Sequence, residues 1–428
     1  MARRQQRGRG RRKPSIKTET QTLTIERLGH HGDGVLENTG RRLFISNALP
    51  GETVEAELTG ERGKVTKILE ASADRVEPQC RHFEECGGCS LQHLKKEVYA
   101  NFKLETVKSA LQANGIVLPV DPLIPIAAHS RRRATFVALN TKGGVQLGFH
   151  EKRSKRIVPL KECAVVLPEI ETALPVLRAL CDKIEDVKSE IRVTVLYSQA
   201  GLDVRIDGVG DIDFKVEQAL INLAIQHKLA RLALGGDVLI EPAKPSLKFG
   251  DVSLTPPPGG FVQATTSSEI VMADLVCAAV GEASYVADLF SGSGTFTFRL
   301  AEHARVHAVE SDAAALKALQ AAARNHPHLK PVTAERRDLF NRPLQKDELN
   351  KFEALILDPP RAGAIEQCVK IAQSAVQKLV YVSCSPPSFA RDAAVLIEGG
   401  YTLTRVQPVD QFLFSHHIEL VSVFERSE

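Results

Sequence analysis

The sequence predicts an α/β protein built from an N-terminal β-barrel, a central α/β domain and a C-terminal doubly wound parallel sheet. A chain of 428 residues is too long for one hydrophobic core. Short β-type runs broken by turns fill residues 16–78, and from about residue 251 buried strands alternate with helices. With 43% hydrophobic and 25% charged residues, and no run near the roughly 20 apolar residues of a bilayer span, we expect a soluble protein without membrane segments.

Residues 1–15 are predicted to be a disordered basic arm. The whole chain carries a net charge of +3 and the arm carries +7, so the remainder carries −4. The cations are Arg3, Arg4, Arg7, Arg9, Arg11, Arg12 and Lys13. Such an arm is expected to make sequence-independent phosphate contacts, with a solubilising tail as the alternative. Because no apolar stretch follows the arm, it does not resemble a secretory leader, and we expect a cytoplasmic protein.

The β-barrel is predicted from the runs "TLTIERL", "RRLFISNAL", "PGETVEAEL" and "GKVTKIL", which are separated by turn residues. We expect these strands to pair antiparallel. The loop "GHHGDG" places His30, His31 and Asp33 together, which is compatible with a metal site. Its closely spaced glycines favour a simple turn instead.

The central domain, residues 79–250, is predicted to mix helices and strands. The stretches "KEVYANFKLETVKSALQANG" and "LPEIETALPVLRALCDKI" have helical spacing of apolar residues, and "VQLGFH", "RIVPL", "EIRVTVLYS" and "GLDVRIDG" indicate strands. Arg131, Arg132 and Arg133 precede one strand. We expect them to hold phosphates, and a solvated charged strand edge is the alternative.

Four cysteines of this domain are expected to form a metal site. Cys80, Cys86 and Cys89 are spaced C-x5-C-x2-C, and Cys163 follows downstream. Thiolates bind either zinc or an iron–sulfur cluster, and the spacing does not separate the two. Three other cysteines lie in helical or apolar contexts and are expected to be buried bystanders. These are Cys181, Cys277 and Cys368.

The C-terminal domain, residues 251–428, places polar signals where its predicted strands end. Gly292 and Gly294 allow a tight turn between a strand and a helix, and Glu310 ends the next strand, where a carboxylate can bind ribose hydroxyls. Nicotinamide and methionine-derived cofactors both fit this pattern. Asp358 follows a further strand in "DPPRAG". Arg361 occupies the position where enzymes that methylate base amino groups usually have an aromatic residue, which disfavours that reaction.

Cys384 is predicted to be a nucleophile. It follows the apolar run "KLVYVS" and lies between Ser383 and Ser385. Pyrimidine C5 is a poor nucleophile, so an enzyme that methylates it must first add a thiolate to C6. A buried structural thiol is the alternative. Arg361 or Arg391 could lower the pKa of the thiol if either lies nearby.

Glu419 is the candidate general base. After methyl transfer the C5 proton must leave, which requires a base beside the ring. Glu419 follows His416 and His417 and precedes a final apolar strand. Taken alone, it is equally well explained as a solvated strand residue, and its role depends on Cys384.

Together these stretches resemble the bacterial RNA uracil-5-methyltransferase family, the iron–sulfur enzymes that methylate uridines of 23S ribosomal RNA, along nearly the whole chain. The resemblance is carried by "IERLGHHGDGV", "LPGETVEAEL", "RRRATF", "LGFHEKRSKRIVPLKEC", "FVQATTS", "SCSPPSFARD" and "HHIEL". It implies an OB-like TRAM barrel over residues 16–78 that binds RNA. It also implies a class I Rossmann-like methyltransferase domain over residues 251–428.

The resemblance further implies residue roles. The expected ligands of a [4Fe-4S] cluster are Cys80, Cys86, Cys89 and Cys163. The expected contacts to S-adenosylmethionine are Gln263, Phe290, Thr295, Glu310, Asp338 and Asp358. Cys384 corresponds to the nucleophile and Glu419 to the base. The chain departs from the family pattern at Thr295 and Ser385, where asparagine is common, and at Leu413-Phe414, where proline-histidine is usual.

The expected function is S-adenosylmethionine-dependent methylation of uridine C5 in structured RNA, with 23S ribosomal RNA as substrate and a monomeric enzyme that has no membrane partner. A transfer-RNA uracil methyltransferase is one alternative. Cytosine-5 methylation is disfavoured because "DPPRAG" lacks the second cysteine such enzymes carry. A non-catalytic RNA-binding or assembly factor is the alternative outside the enzymes.

Overall fold

The computed structural model describes residues 18–38, 40–184 and 189–426. The basic arm predicted for residues 1–15 lies outside them. The chain divides into two compact units. The first runs to Glu77 and includes His93–Lys95, and the second comprises Pro78–Gln92 and the chain from Lys96 onward. Across the described ranges, no helix combines the length and apolarity needed to cross a bilayer.

The first unit is a six-stranded sheet, consistent with an OB-like barrel. Its strands are β1 (Thr18–Thr24), β2 (Arg27–Leu28), β3 (Gly34–Asn38), β4 (Arg41–Ser46), β5 (Thr53–Thr59) and β6 (Arg62–Glu70). The order is β1-β5-β6-β4-β3-β2. Alternate residues of β5, Val54, Ala56 and Leu58, point into the core, as the two-residue period of a strand requires.

One pairing in this sheet differs from the wholly antiparallel barrel that the sequence predicts. β4 and β6 run parallel, with Phe44 opposite Arg62. The hairpin formed by β5 and β6 reverses the chain, so β6 lies beside β4 in the same direction. The "GHHGDG" loop is a turn: the Gly29 N–H donates to the Asp33 carbonyl at 2.8 Å, and Gly32 has a positive φ of 80°.

The second unit begins with a central sheet and its helices. The elements are α1 (Lys96–Gln112), β7 (Arg133–Thr141), β8 (Gly144–His150), β9 (Ile157–Pro159), α2 (Pro168–Thr172), α3 (Leu174–Asp182), β10 (Ile191–Ser198), β11 (Gly201–Asp207), α4 (Phe214–Gln226), β12 (Arg231–Leu234) and β13 (Asp237–Ile240). The sheet order is β13-β12-β11-β10-β7-β8-β9. The single helix predicted around residues 167–184 is two helices, which are separated by Ala173 and each have a proline in the first turn.

The rest of the second unit alternates strands and helices, as predicted. The elements are β14 (Leu247–Phe249), β15 (Val252–Leu254), α5 (Thr266–Val280), β16 (Tyr285–Leu289), α6 (Thr297–Ala301), β17 (Arg305–Glu310), α7 (Ala313–Asn325), β18 (Val332–Arg336), α8 (Lys346–Leu349), β19 (Ala354–Leu357), α9 (Ile365–Ala372), β20 (Lys378–Ser383), α10 (Pro386–Glu398), β21 (Tyr401–Val409) and β22 (Glu419–Arg426). β14 and β15 form a hairpin, and the other strands form a sheet in the order β18-β17-β16-β19-β20-β22-β21. The predicted α/β class is confirmed.

This C-terminal sheet is not wholly parallel. The five strands from β18 to β20 run parallel, but β22 is antiparallel to both β20 and β21. The strand order reverses between β16 and β19, which creates the crevice where ligands of doubly wound sheets bind. Apolar side chains cover both faces of the sheet.

Helix α1 precedes the central sheet in sequence but packs with the C-terminal sheet. Its Val107 and Leu111 belong to the same core as Leu379 of β20. The chain after α1 then runs along β21, where the Ile124 N–H donates to the Pro408 carbonyl at 3.0 Å. This packing brings the face of α1 next to the segment that joins β21 to β22.

Candidate active site

Five residues singled out from the sequence meet at one edge of the C-terminal sheet. They are Phe290 after β16, Glu310 at the end of β17, Asp358 after β19, Cys384 after β20 and Glu419 at the start of β22. Because β22 runs opposite to β20, its first residue lies at the edge where β20 ends. This edge flanks the point where the strand order reverses. The structure therefore brings together residues that are up to 129 positions apart in the chain.

The turn after β16 has the backbone geometry that a ligand-binding turn needs. Phe290, Gly292 and Gly294 all have positive φ, at 62°, 55° and 101°. A Cβ atom on Gly294 would lie 2.6 Å from the Phe298 ring, whereas one on Gly292 would meet no atom within 4 Å. Gly294 is thus required by packing, and Gly292 faces open space beside the sheet. Thr295 is half-buried at the end of this turn.

Asp288, which the sequence analysis missed, lies in β16 beneath the turn. Its side chain is fully buried, and Thr297 Oγ1 donates to its Oδ2 at 2.5 Å. Its Oδ1 has no hydrogen-bond partner among the described residues. Burial raises the pKa of Asp288 to about 7. A buried acceptor without a donor fits a ligand that brings a positive charge, such as the amino acid end of S-adenosylmethionine.

Glu310 is held by backbone donors at the predicted ribose-binding position. The Gly292 N–H donates to its Oε2 at 2.9 Å, and the Ser311 and Asp312 N–H groups donate to its Oε1 at 2.6 and 2.7 Å. The carboxylate therefore ties the glycine turn to the end of β17.

Asp338 and two aromatic rings lie at the far side of the same edge. Asn341 and the Phe340 N–H donate to Asp338, and these hydrogen bonds lower the pKa of its carboxyl. The rings of Phe290 and Phe340 lie 5.3 Å apart, and Phe340 is 42% exposed. Phe340 belongs to no motif, so its place at this edge could not be predicted from the sequence.

Asp358 and Gln263 form a polar pair beside the turn. Gln263 is buried, and its Nε2 donates to Asp358 Oδ2 at 3.4 Å. Loss of hydration, with the charges of Asp288 and Glu310, raises the pKa of Asp358 to about 8. Three carboxyl groups thus crowd one side of the crevice, where a cationic cofactor would stabilise their ionised forms.

Cys384 is half-buried, and its surroundings raise rather than lower its pKa. Burial and the Glu419 charge raise the pKa of the thiol to about 11, and Arg361 opposes this through its charge and a hydrogen bond. Of the two arginines proposed as neighbours, only Arg361 has this contact. Arg391 donates instead to the Ala362 carbonyl and to Asp392.

Glu419 is almost completely buried, at 3% exposure, so it is not the solvated strand residue that was the alternative. Burial, followed by the charge of Asp358, raises the pKa of its carboxyl. Gln411 Nε2 donates to Glu419 Oε2 at 3.4 Å and to Gln263 Oε1 at 2.8 Å. Gln411, which the sequence analysis missed, therefore joins the candidate base to the Gln263–Asp358 pair.

Two of the three arginines at the start of β7, Arg132 and Arg133, make contacts within the protein. Arg132 is buried and paired with the buried Glu269, and its Nε donates to the Gln263 carbonyl at 3.2 Å. Arg133 donates to the carbonyls of Gly259 and Gly260. The phosphate role predicted for Arg132 and its alternative, a solvated edge, are both wrong, because Arg132 is buried and its charge is paired with that of Glu269.

The four predicted metal-ligating cysteines line one cavity of about 210 Å³. Burial raises the pKa of the thiols, for Cys86 to about 11 and for Cys89 to about 12. Arg131 also lines the cavity, and its Nε has no hydrogen-bond partner among the described residues. Within residues 18–38, 40–184 and 189–426, no group of three or more His, Cys, Asp or Glu side chains is arranged to hold a metal ion.

The remaining cysteines are explained by packing. Cys181 and Cys368 are buried in the cores of the central and C-terminal sheets, as expected. Cys277 on α5 is half-buried.

The sheet order, with one antiparallel strand beside β20, and the ligand-binding edge define a class I methyltransferase. A sequence model of the tRNA (uracil-5-)-methyltransferase family matches residues 182–427. The chain therefore belongs to the family of S-adenosylmethionine-dependent RNA (uracil-5-)-methyltransferases, and it is an enzyme.

Individual relatives agree with this assignment. An uncharacterised RNA methyltransferase of Agrobacterium fabrum is 47% identical, over 95% of this chain and all of the relative. The 23S rRNA (uracil(1939)-C(5))-methyltransferase RlmD of Vibrio parahaemolyticus is 30% identical, over 97% of this chain and 98% of the relative. The crystal structure of Pyrococcus abyssi tRNA (uracil-54, C5)-methyltransferase with S-adenosyl-L-homocysteine shares the fold, with a TM-score of 0.72, 22% identity, and coverage of 94% of this chain and 100% of that one.

Proposed function

We propose that this enzyme methylates uridine C5 in 23S ribosomal RNA through a covalent adduct of Cys384. The observation that carries the proposal is the convergence of Cys384 and Glu419 at the edge of the sheet that also holds the glycine turn. S-Adenosylmethionine supplies an electrophilic methyl group when bound. Gln263, Phe290, Thr295, Glu310, Asp338 and Asp358 would hold it, and Asp288 adds a buried acceptor to this set.

In the first step, the Cys384 thiolate adds to C6 of the uracil ring. The S–C6 bond forms, and the C5–C6 π electrons move through the ring onto O4, which makes C5 nucleophilic. Arg361, whose charge favours the ionised thiol, would stabilise the thiolate before addition. C5 would then accept the methyl group as the electrons return from O4, with S-adenosylhomocysteine as the leaving group, so the ring carries both a new C5–methyl bond and the original C5 proton.

In the second step, Glu419 removes that proton. Its carboxylate takes the proton from C5, the C–H electron pair forms the C5=C6 double bond, and the S–C6 pair returns to Cys384 as a thiolate. The raised pKa of Glu419 makes it a stronger base than an exposed carboxylate. The products are 5-methyluridine, S-adenosylhomocysteine and one proton.

The choice of ribosomal over transfer RNA rests on the full-length relationship to RlmD. Transfer RNA remains the alternative substrate, because the matching family is described as tRNA (uracil-5-)-methyltransferase.

Each part of the chain has a proposed role. Residues 16–78 act as a TRAM-like RNA-binding module, and the arm 1–15 adds phosphate contacts. Residues 79–250 hold the cysteine site, and residues 251–428 transfer the methyl group. A target base must leave its stack to reach a half-buried thiol, so we expect a loop or bulge as the site. We expect the enzyme to act as a monomer in the cytoplasm.

We propose a [4Fe-4S] cluster on Cys80, Cys86, Cys89 and Cys163. Four thiols in one cavity are the donor set of such a cluster. The same four thiols are also the donor set of a structural zinc ion, which is the alternative. Arg131 would face the anionic cluster. The mechanism needs no redox step, so we expect the cluster to have a structural role.

The proposed function is tested by radiolabelled methyl transfer with unmodified transcripts of 23S ribosomal RNA and of transfer RNAs. We expect label in the ribosomal transcript, as 5-methyluridine, and its loss in Cys384→Ala. Label in transfer RNA would select the alternative substrate. No transfer to any RNA would favour the non-catalytic binding factor. Mapping 5-methyluridine in a deletion strain then identifies the position.

A further inference from the structure

We propose that Gln411 is a positioning residue for the proton-removal step, which it serves by orienting the carboxylate of Glu419. A buried clamp, formed by Tyr99 and Lys103 of α1 with Asp410, fixes Gln411 in that role. This inference rests on the proposed function, because it assigns a task to the base that the function requires.

The side-chain amide of Gln411 has no freedom to turn over. Its Oε1 accepts from Ser268 Oγ at 2.7 Å and from the Ala264 N–H at 3.2 Å. Its Nε2 must therefore face the other way, where it donates to Gln263 Oε1 at 2.8 Å and to Glu419 Oε2 at 3.4 Å. Each half of the amide is thus committed to partners of the matching kind.

Glu419 depends on this contact for its orientation. Among the described residues, Gln411 is the hydrogen-bond donor to its carboxylate. The distance of 3.4 Å is long, as is common for catalytic contacts before substrate binds. An amide N–H donor favours the ionised carboxylate, which is the form that accepts the C5 proton. Gln411 therefore both aims the base and keeps it competent.

The backbone at Gln411 is held by a buried ion pair on one side. Lys103 and Asp410 have side-chain exposures of 0% and 2%, and Lys103 Nζ donates to Asp410 Oδ1. Tyr99 OH donates to Asp410 Oδ2 at 2.7 Å. A buried lysine is costly unless it is fully paired, and Lys103 meets this requirement through Asp410 and two backbone carbonyls.

The clamp reaches beyond Asp410 into the segment of residues 410–417, the base loop, which leads to Glu419. Lys103 Nζ also donates to the carbonyls of Phe412 at 3.1 Å and His417 at 2.7 Å. One cation thus ties together three points of the loop. Two of them flank Gln411 and the third lies two residues before Glu419.

The middle of the base loop is fixed at Phe414. The Phe414 N–H donates to Tyr99 OH at 3.0 Å, and its carbonyl accepts from the N–H groups of Ser90 at 2.8 Å and Leu91 at 3.0 Å. Phe414 has a positive φ of 60°, which a bulky residue adopts only when its surroundings impose it. The departure from the family pattern at Leu413-Phe414 is therefore accommodated by contacts of this chain itself.

The test compares Gln411→Met with Gln407→Met, using the full chain and an unmodified 23S ribosomal RNA transcript. Gln407 is a matched control, because it is also buried, at 5%, and its Nε2 donates to backbone carbonyls of Pro122 and Pro408. Glu419→Gln is the reference for complete loss of the base. Each variant is assayed for turnover, for an enzyme–RNA adduct that survives detergent, and for the isotope effect with uridine deuterated at C5.

We expect Gln411→Met to lower turnover by about 10- to 100-fold, within the contribution of about 10²–10⁴ that a general base makes. The methylated adduct should accumulate and the C5 isotope effect should increase, because proton removal becomes the slow step. Gln407→Met should change neither readout. Gln411→Asn, which keeps an amide but is one methylene shorter, should show the same adduct accumulation if the Met variant folds poorly.

Three outcomes overturn the inference, and the third also overturns the base assignment of the proposed function. If Glu419→Gln accumulates adduct and neither Gln411 variant does, Gln411 has no part in proton removal. If Gln407→Met accumulates as much adduct as Gln411→Met, the effect is one of general stability. If Glu419→Gln itself accumulates no adduct, the base assignment of the proposed function fails, and the inference about Gln411 fails with it.

Discussion

Cys384 and Glu419 come from strands that run in opposite directions, yet they lie at the same edge of the sheet. Ser383, the last residue of β20, pairs with Leu420, the second residue of β22. Cys384 directly follows Ser383, and Glu419 directly precedes Leu420, so the two residues are neighbours across this strand pair. Their proximity is visible in the upward effect of the Glu419 charge on the pKa of Cys384. A thiol and a carboxyl so placed can act on the adjacent C6 and C5 atoms of one ring.

Asp288→Asn is expected to weaken binding of S-adenosylmethionine. The substitution removes a buried negative charge whose Oδ1 has no partner in the described chain, and a hydrogen bond to a charged group contributes about 1.5–3 kcal/mol, or roughly 10- to 100-fold in affinity. Isothermal titration calorimetry measures the change. Asp203→Asn is the control, since Asp203 is equally buried but pairs with Arg231 in the central sheet. Equal affinity in Asp288→Asn and wild type would show that Asp288 does not face the cofactor.

Substitutions of the two charged neighbours of Cys384 should change the reactivity of its thiol in opposite directions. In the free enzyme the pKa of about 11 predicts slow alkylation by iodoacetamide at neutral pH and a rise toward pH 11. Arg361→Met removes a cation, so it should raise the pKa and slow alkylation at any pH below the midpoint. Glu419→Gln removes an anion, so it should lower the pKa and speed alkylation.

The same assay tests the effect of the cofactor. S-Adenosylmethionine brings a positively charged sulfur, so its binding should lower the pKa of the thiol more than binding of S-adenosylhomocysteine, whose sulfur is neutral. Alkylation is followed by mass spectrometry of the Cys384 peptide. If Arg361→Met and Glu419→Gln shift the pKa of Cys384 in the same direction, the charge arrangement described for Arg361 and Glu419 is contradicted.

Arg132→Met is expected to destabilise the fold without changing the salt dependence of RNA binding. It leaves Glu269 buried without its partner, which costs about 3–5 kcal/mol. A phosphate contact, by contrast, contributes about 0.7–0.9 to the slope of log affinity against log salt concentration. Thermal unfolding and RNA titrations at several salt concentrations separate these effects. A reduced slope with unchanged stability would restore the phosphate role.

Cys89→Ser is expected to abolish iron binding, whereas Cys277→Ser should retain it. Cys89 lines the cavity with the other three cysteines, and Cys277 lies on α5 outside that cavity. Anaerobic purification, visible absorption, and iron and sulfide analysis provide the measurement, with about four of each per chain expected. Zinc without iron in the wild-type protein would identify the other metal that the cysteine spacing allows.

The sequence was sufficient where local pattern and chain order decide the structure. Buried strands alternating with helices predict a doubly wound sheet, and polar residues after each strand then share an edge, as Glu310, Asp358 and Cys384 do. β22 was predicted as a strand, but its antiparallel direction was not, because an apolar strand gives no signal of its direction. That direction is what places Glu419 beside Cys384.

The misses have a common physical cause. Arg132 was interpreted from its neighbours in sequence, but its charge is neutralised by Glu269, which lies 137 residues further along the chain. Asp288 and Gln411 belong to no motif, and only tertiary packing shows that one has an unpartnered oxygen and the other contacts Glu419. Polar residues whose roles arise from distant contacts leave no periodic signal in the sequence.

The most direct test of the account is peptide mapping of the adduct formed with 23S ribosomal RNA that contains 5-fluorouridine in place of uridine. Fluorine at C5 blocks proton removal, so the enzyme should remain bonded through Cys384 to C6 of a single methylated nucleotide, and Cys384→Ala should form no adduct. An adduct through a different residue, or methyl transfer by Cys384→Ala, would contradict the mechanism.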